Sequence, residues 1–313
     1  MSQSGPSSVD AGTGTSASIG AVGSLAALVE AMRPKQWTKN AVVFAAFVFG
    51  GKLFDVRNLL IVAAATGLFC LTSSTVYLFN DLLDADADRH HPLKSKRPIA
   101  SGRLSPAMAK LAIAALVLTV FPAAALINPI YAAVLVAYVA LMLAYTFRLK
   151  HMVIVDVFVI AAGFVLRAMA GAVVIGVPIS PWLYVCTVLL SLFIGLSKRR
   201  HELVLLDDNA SAHRKILDDY SPALLDELIA VVSAATIMAY SLYTFSAPNL
   251  PPNHAMMLTI PFVVYGIFRY LFLVHRKNGG GAPEQVLLDD LPLLGSLMLW
   301  GAVAAAILYF PWH

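Results

Sequence analysis

Residues 80–102 read NDLLDADADRHHPLKSKRPIASG, and they follow directly on an apolar run at residues 58–80. Four aspartates lie within the eight residues from Asp81 to Asp88, and lysines and arginines follow almost at once. Charges of both signs at the end of an apolar run mark the point where a membrane helix reaches the aqueous phase. The stretch therefore predicts a membrane helix that ends in a polar segment able to carry chemistry.

The composition of the whole chain also indicates a membrane protein. Of its 313 residues, 59% are hydrophobic and 13% are charged, which is too apolar for an ordinary soluble domain. Apolar runs of about 18–22 residues predict helices, because lipid offers the backbone no hydrogen-bonding partner. We therefore predict an all-α integral membrane protein with nine transmembrane helices. The predicted spans are 38–54, 58–80, 106–127, 130–147, 153–176, 181–197, 224–246, 255–275 and 289–310.

Two further features bound the organisation of the chain. Residues 1–24 are mostly Ser, Gly, Thr and Ala with almost no charge, a composition that predicts a disordered tail ahead of one membrane domain at 25–313. Cys70 and Cys186 both fall inside predicted spans. We expect them to be small packing residues, with no role in a disulfide or a metal site.

Lysines and arginines concentrate in alternate loops, above all at 89–103 and 198–215. The positive-inside rule places these loops and the amino terminus in the cytoplasm, and nine spans then place the carboxy terminus outside. We expect a multi-pass protein of the inner (plasma) membrane. The net charge of +4 is explained by this topology and requires no nucleic-acid partner.

The acids of the opening stretch share one helix face. Asn80, Asp84 and Asp88 are four residues apart, and Asp81 lies three before Asp84, whereas Asp86 points elsewhere. Stacked like charges favour a counter-cation, and magnesium prefers oxygen ligands shared with phosphate. The stripe predicts a magnesium-bound diphosphate. The alternative is a charged helix end that only faces the cytoplasm.

Basic residues lie near this stripe in the sequence. Lys94, Lys96 and Arg97 follow it, and lysines and arginines neutralise phosphate groups well. In RPKQWTKN (33–40), Lys35 and Lys39 share a helix face. Each of these residues is a candidate phosphate ligand, and the alternative is a topology signal at the inner leaflet.

A second candidate segment is SKRRHE (197–202), in which Lys198 and Glu202 are one helical turn apart. Arg167 lies inside a predicted span, where a charge costs at least about 2.5–3.5 kcal/mol and should face a partner or a polar cavity. Tyr145 and Lys150 stand at the inner end of span four. All five residues are candidates for substrate binding or catalysis.

NDLLDADAD fits the NDxxDxxxD signature of the UbiA superfamily of membrane prenyltransferases, KSKRPIASG resembles the basic tail of that motif, and YTFRLK (145–150) resembles its tyrosine–lysine segment. The resemblance extends from about residue 28 to 310. It implies a nine-helix bundle with a central cavity facing the cytoplasm and a magnesium-dependent transfer reaction. It assigns the metal and the diphosphate to Asn80, Asp81, Asp84 and Asp88.

One departure from the superfamily pattern changes the expected substrate. Ordinary members carry a second acidic motif, DxxxD, after span six, where this chain has KRRHELVLLDD (198–208). The chain instead resembles a branch that transfers 5-phosphoribose from phosphoribosyl pyrophosphate to decaprenyl phosphate, forming a lipid precursor of cell-wall arabinan. That likeness implies that Lys198 and Glu202 hold the ribose or pyrophosphate. It assigns the 5-phosphate and the lipid phosphate to Lys35, Lys39, Lys96, Arg97, Tyr145, Lys150 and Arg167.

Two other functions remain open at this point. One is transfer of a polyprenyl group from its diphosphate to an aromatic acceptor, and the other is transport of a phosphorylated metabolite. Transport predicts charges at mid-membrane, whereas most charges here lie at the cytoplasmic ends of spans. The sequence leaves the oligomeric state open, with a homo-oligomer as one possibility.

Overall fold

The structure is a computed structural model that describes residues 15–92, 94–207, 217, 219–247, 250–276 and 283–310. The regular structure in these ranges is helical, which confirms the predicted all-α class. The α-helices are α1 (Thr15–Ala31), α2 (Ala45–Phe49), α3 (Val56–Leu83), α4 (Ala85–Arg89), α5 (Pro106–Ile127), α6 (Pro129–Phe147), α7 (Val155–Val174), α8 (Pro181–Asp207), α9 (Pro222–Ser246), α10 (Ile260–Arg276), α11 (Pro283–Asp289) and α12 (Leu291–Tyr309). Segments of 3-10 helix lie at Pro34–Phe44, Lys94–Lys96, Leu149–His151 and Ala255–Thr259.

Eight helices within the described ranges are long and apolar enough to cross a membrane. They correspond to the second to ninth predicted spans, with ends that differ by a few residues. The eight helices are Val56–Leu83, Pro106–Ile127, Pro129–Phe147, Val155–Val174, Pro181–Val204, Pro222–Ser246, Ala255–Arg276 and Leu291–Tyr309.

Side-chain contacts identify one end of the bundle as the charged end. There the end of α6 meets the end of α3 through Thr146 and Asn80, and the end of α8 meets the start of α7 through Arg199 and Asp156. The end of α10 contacts the start of α9 through His275 and Asp226. The segments predicted to be cytoplasmic therefore meet at one end of the bundle.

The first predicted span, 38–54, is not one long α-helix. It consists of 11 residues of 3-10 helix followed by the 5 residues of α2. At about 2.0 and 1.5 Å per residue these reach about 30 Å, the thickness of a hydrocarbon core. Arg33 contacts Asp81 at the charged end, and Val48 accepts a hydrogen bond from Tyr309 at the opposite end. The segment therefore runs the height of the bundle in a tighter winding than predicted.

Helix α7 lies at the centre of the molecule. It is the most buried of the eight long helices, and it packs on α6, α8 and the 34–44 segment. Gly171 makes the last of these contacts possible, because a Cβ atom there would lie 1.8 Å from the carbonyl oxygen of Val43. One apolar cluster surrounds Phe69 on the α3 side of α7, and another surrounds Phe193 on the α8 side.

Several helix starts follow directly from local sequence. Ser105, Asn128 and Ser221 each precede a proline at the first helical position, and each side chain accepts backbone N–H hydrogen bonds of the first turn. Asp290 caps α12 in the same way. Its carboxylate also accepts hydrogen bonds from Arg269 Nε and Nη2, at 3.0 and 2.9 Å. Arg269 therefore has a structural partner.

Helix α1 reaches back into the predicted tail. It begins at Thr15, ahead of the boundary predicted at residue 24, and residues 1–14 lie outside the described residues. Ala27 and Ala31 are buried in a cluster with Leu78 and Leu104. The exposed pair Glu30–Arg103 further ties α1 to the loop after α4.

Candidate active site

The predicted acidic stripe lies at the charged end, where α3 passes into α4. Helix α3 ends at Leu83, and Asp84 separates it from the short helix α4. The turn continues across this break, because the Asp84 N–H donates to Asn80 (2.9 Å) and the Asp88 N–H donates to Asp84 (2.8 Å). Asn80, Asp81, Asp84 and Asp88 therefore keep the common face that their spacing predicts.

Two arginines neutralise the buried members of this stripe. Asp81 and Asp88 are 2% and 3% exposed. Arg33 donates to Asp81 Oδ1 at 2.5 Å, while Arg97 donates to Asp81 Oδ1 at 3.2 Å and to Asp88 Oδ2 at 2.6 Å. We call Arg33, Asn80, Asp81, Asp84, Asp88 and Arg97 the α3 cluster. Its two buried carboxylates and two guanidinium groups balance in charge.

The other two members of the stripe, Asn80 and Asp84, lie in different surroundings. The side-chain oxygen of Asn80 accepts a hydrogen bond from Thr146 of α6 at 2.9 Å. Asp84 is half-buried at the junction of α3 and α4. Asp86 is 92% exposed and pairs with Arg89, which agrees with the prediction that it lies off the stripe.

The oxygen donors of the α3 cluster fit a divalent cation that arrives with its own ligands. Among the described residues, no three His, Cys, Asp or Glu side chains converge closely enough to hold a metal by themselves. Magnesium commonly takes one or two protein carboxylates and completes its shell with phosphate oxygens and water. The carboxylates of Asp81, Asp84 and Asp88 and the amide oxygen of Asn80 lie on one face, so they can supply one or two such ligands.

A second ion-pair network lies around the end of α8. Arg199 is 2% exposed, and its Nε donates to Asp156 Oδ2 at 2.7 Å. Its Nη1 donates to Glu202, and its Nη2 donates to the Tyr145 hydroxyl at 3.2 Å. Lys198 also approaches Glu202, with 4.0 Å between Nζ and Oε1. The predicted pair of Lys198 and Glu202 is therefore present, but Arg199 is the stronger partner of the glutamate.

Tyr220, 13 residues after the last residue of α8, completes this network. Its hydroxyl donates to Asp156 Oδ1 at 2.9 Å and accepts the Ile154 N–H at 2.6 Å. Ile154 has φ +68°, an unusual value for a β-branched residue. Burial raises the pKa of Tyr220 to about 12, so the phenol stays protonated as a donor at neutral pH. We call Tyr145, Asp156, Lys198, Arg199, Glu202 and Tyr220 the α8 cluster.

The last turn of α6 joins the two clusters. Thr146 donates to Asn80 of the α3 cluster, while the neighbouring Tyr145 accepts from Arg199 of the α8 cluster. Lys150 follows in the next 3-10 turn and is half-buried. The structure therefore assembles the motifs at 80–97, 145–150 and 198–202 around one end of α6.

The remaining predicted cations lie in different surroundings. Lys35 and Lys96 are exposed, whereas Lys39 is half-buried. Arg97 lies inside the α3 cluster, where it contacts carboxylates that were predicted to hold the metal. Of these four cations, Arg97 is paired with carboxylates in this structure. Lys35, Lys39 and Lys96 stay predicted phosphate ligands at the charged end.

Arg167 lies deeper in the bundle than the rest of the predicted site. It donates to Asn40 (2.8 Å), the Gly163 carbonyl (2.9 Å) and the Tyr138 hydroxyl (3.0 Å), and it is 6% exposed. Asn40 in turn contacts Ser73, which precedes Asn80 by two turns of α3, or about 10 Å. The structure therefore does not bring Arg167 together with the α3 cluster, and its contacts tie α7 to the 34–44 segment.

A cavity of about 360 Å³ lies at the opposite end of the bundle, between residues 251–253 and 307–310. Its lining includes Tyr309 as the one ionisable side chain and is otherwise largely apolar. These lining residues include no Asp, Glu, Lys or Arg, in contrast to the charged end. The predicted central cavity that opens toward the cytoplasm remains a prediction.

The predicted site lacks five residues, and the reason is distance along the chain: Arg33, Asp156, Arg199 and Tyr220 of the two clusters, and Thr146, which joins them. Arg33 is 48 residues from Asp81, and Arg199 is 43 residues from Asp156, so neither pairing has a helical spacing. Thr146 and Tyr220 are likewise 66 and 64 residues from their partners. The available signals were that Arg33 opens RPKQWTKN and that Asp156 is an acid at the start of an apolar run.

Comparisons with known proteins identify a family and relatives of this chain. The UbiA prenyltransferase family matches residues 41–288. The decaprenyl-phosphate phosphoribosyltransferase of Corynebacterium glutamicum is 36% identical over 281 residues, covering 87% of this chain and 84% of that relative. The protein of the same name from Mycobacterium tuberculosis is 35% identical over 292 residues, covering 91% and 95%.

A solved structure shows the same fold. It is a UbiA homolog from Archaeoglobus fulgidus bound to GPP and Mg²⁺, which matches with a TM-score of 0.68 over 90% of this chain and 99% of its own. Its sequence identity is 17%, so this likeness concerns the fold alone. The family match over most of the chain carries the assignment: this protein belongs to the UbiA prenyltransferase family.

Proposed function

We propose that this protein transfers the 5-phosphoribosyl group of phosphoribosyl pyrophosphate to decaprenyl phosphate. The bond from the anomeric carbon to the diphosphate oxygen breaks, and a bond from that carbon to the lipid phosphate oxygen forms. The products are pyrophosphate and decaprenylphosphoryl-β-D-5-phosphoribose, a precursor for cell-wall arabinan. The observation that carries the proposal is the identity of 35–36% with relatives of that activity over 84–95% of their length.

The α3 cluster supplies the diphosphate site in this proposal. Asn80, Asp81, Asp84 and Asp88 present oxygen atoms on one face, and Arg33 and Arg97 bring two guanidinium groups to it. We propose Mg²⁺ as the cation that these residues would hold, and it would supply charge neutralisation for the leaving diphosphate. Arginine forks match phosphate geometry and complete the neutralisation.

The α8 cluster positions the sugar and separates the two anionic substrates. Arg199 is fixed by Asp156 and holds Glu202, which is 27% exposed, at the rim of the network. Glu202 and Lys198 are our proposed ribose contacts, with Lys35, Lys39, Lys96, Tyr145 and Lys150 as candidate ligands of the 5-phosphate and the lipid phosphate. The lipid phosphate is already ionised, so its attack needs no general base. Alignment and charge compensation provide the catalysis.

The charged end is proposed to face the cytoplasm of the inner (plasma) membrane. The loops at this end carry most of the lysines and arginines, which favours the cytoplasmic side. Phosphoribosyl pyrophosphate is water-soluble, and a cytoplasmic site gives it direct access. The acceptor lipid would reach the same end along the apolar surface of the bundle.

Purified protein in nanodiscs, supplied with Mg²⁺, decaprenyl phosphate and ribose-labelled phosphoribosyl pyrophosphate, tests the proposal. We expect label to appear in the organic phase, together with one pyrophosphate per labelled lipid. Omission of Mg²⁺ or of the lipid phosphate should leave the label in the aqueous phase.

The same preparation can test the alternative reaction. A labelled polyprenyl diphosphate is offered with an aromatic acid such as 4-hydroxybenzoate. The family name and the GPP-bound structural neighbour are the reasons for testing this alternative reaction. Prenylated aromatic product without phosphoribosylated lipid would overturn the proposed function.

A further inference from the structure

The α3 cluster has an internal arrangement that the proposed reaction alone does not require. The carboxylates that would hold the metal are already engaged by Arg33 and Arg97. We propose that these two arginines change partners when substrate binds: they leave Asp81 and Asp88 for the diphosphate, and the freed carboxylates take the divalent cation. Metal and diphosphate then bind together instead of one after the other. This inference rests on the proposed function and specifies how its donor site fills.

Charge balance supports the exchange. Asp81 and Asp88 contribute two negative charges, and Arg33 and Arg97 contribute two positive charges within hydrogen-bond distance. A divalent cation alone would meet two guanidinium groups at the same oxygens. A diphosphate alone would meet two buried carboxylates. Arrival of both gives every charge an opposite partner, so each ligand should raise the affinity of the other.

Side-chain exposure indicates whether the arginine or the carboxylate of each pair can move. The side chains of Asp81 and Asp88 are 2% and 4% exposed, whereas those of Arg33 and Arg97 are 30% and 27% exposed. The carboxylates are short and fixed to the helices, while the arginines are long and approach from the open side. The guanidinium groups therefore occupy the space next to the carboxylates that an incoming ligand must enter.

Arg33 carries two further features of an exchangeable ligand. Its backbone is left-handed, with φ 55° and ψ 62°, which is uncommon for a residue other than glycine and often marks a functional site. Its guanidinium lies over the ring of Tyr77, 5.0 Å from the centroid. Tyr77 precedes Asp81 by one turn of α3, so the ring keeps the arginine on the acidic face after it leaves the carboxylate.

Arg199 shows what a fixed arginine looks like in the same molecule. Its side chain is 3% exposed and is held by Asp156, which is fully buried. A departure of Arg199 would leave that carboxylate buried with the Tyr220 hydroxyl but without a cation, which is costly. The exchange is therefore assigned to Arg33 and Arg97 of the α3 cluster, which are about one-third exposed.

Binding of Mn²⁺, followed by electron paramagnetic resonance on the protein in nanodiscs, tests the exchange without turnover. Wild-type protein should bind Mn²⁺ weakly alone and at least tenfold more tightly with pyrophosphate. Arg33→Met should bind Mn²⁺ alone severalfold more tightly than wild type, because Asp81 loses the shorter of its two arginine contacts, and should show a smaller gain from pyrophosphate. Arg103→Met is the matched control, since it breaks an arginine–carboxylate pair outside the cluster.

Arg97→Met provides a second variant with the same expectation, because Arg97 contacts both buried carboxylates. Circular dichroism and gel filtration establish which variants are folded. Unchanged or weaker binding of Mn²⁺ alone in the folded variants would overturn the exchange, even if wild-type protein forms the phosphoribosyl lipid. Absence of that lipid with normal Mn²⁺ and pyrophosphate binding would overturn the proposed function while leaving the exchange standing.

Discussion

The α3 and α8 clusters both pair arginine with a buried carboxylate, but their arginines differ in exposure. In the α3 cluster the carboxylates are buried and the arginines Arg33 and Arg97 are about one-third exposed. In the α8 cluster both Arg199 and Asp156 are buried, and Glu202 reaches outward from them. The difference suggests a division of roles, in which the α3 cluster exchanges ligands and the α8 cluster keeps its geometry.

The largest effect should come from the α3 cluster. Asp84→Asn removes one charge from the stripe at nearly constant size, and we expect transfer to decaprenyl phosphate to fall by about 10²–10³-fold, the loss typical when a group that stabilises the transition state is removed. Asp86→Asn is the matched control, because Asp86 is exposed and lies off the stripe. Initial rates of lipid labelling measure both. A rate for Asp84→Asn within twofold of wild type would remove the metal site from this cluster.

For the free energy of unfolding, the larger loss should come from the α8 cluster and the smaller loss from the α3 cluster. Arg199→Met leaves Asp156 buried without its cation, and we expect a loss of about 3–5 kcal/mol. Arg33→Met leaves the buried Asp81 with its second arginine, Arg97, at 3.2 Å, so we expect a smaller loss of about 1–3 kcal/mol. Unfolding in mixed detergent micelles gives both values, and Asp156→Asn added to Arg199→Met should restore part of the loss. Equal losses for the two arginines would contradict the proposed division.

Tyr220→Phe tests the rigidity of the α8 cluster at a single hydroxyl. The change removes a donor to Asp156 and an acceptor for the Ile154 N–H, so we expect a loss of about 1–3 kcal/mol. The folded pKa of about 12 lies above the ordinary value near 10, so this contribution is complete below pH 10 and is lost as pH rises through 12. The difference from wild type should thus be constant between pH 7 and 9.

Tyr184→Phe is the control for that measurement, because Tyr184 is 51% exposed on α8. It should leave the unfolding midpoint unchanged over the same pH range. A difference between Tyr220→Phe and wild type that varies between pH 7 and 9 would show that the phenol titrates there, contrary to its burial.

The smallest effect should come from the exposed pair Glu30–Arg103. We expect Arg103→Met to change neither the transfer rate by more than twofold nor the unfolding midpoint, because exposed ion pairs are screened. The hydrogen bond from Arg103 lowers the pKa of Glu30, so the small contribution of the pair is present at neutral pH and disappears on acidification below the ordinary pKa. A large effect at pH 7 would show that α1 has a role beyond packing.

The sequence predicted the membrane helices well because continuous apolar runs are a local signal. Asn80, Asp81, Asp84 and Asp88 were likewise predictable, since helical spacing alone places them on one face. The winding of Pro34–Phe44 was not predicted, because hydropathy does not separate a 3-10 helix from an α-helix. The close contact at Gly171 that accompanies it depends on a partner segment more than 100 residues away.

The partners of the site residues were the least predictable part. The sequence predicts that Arg97 binds phosphate and places Arg199 in a basic loop, and tertiary packing gives each a carboxylate partner that the sequence does not indicate. Arg167, which the sequence predicts to be a substrate ligand, contacts Asn40 and Tyr138 deeper in the bundle, and neither contact has a spacing that the sequence reveals. A charge inside an apolar run signals that a partner exists, but the identity of that partner depends on the fold.

The central claim is that the α3 cluster binds the metal together with the diphosphate, and one measurement addresses it directly. Protein in nanodiscs is loaded with Mn²⁺ and pyrophosphate, freed of unbound ligand by gel filtration, and examined for hyperfine coupling between manganese and ³¹P. We predict protein-bound coupling in wild type and Asp86→Asn and its loss in Asp84→Asn and Asp88→Asn. Equal amounts of coupled, protein-bound manganese in all four proteins would contradict the account.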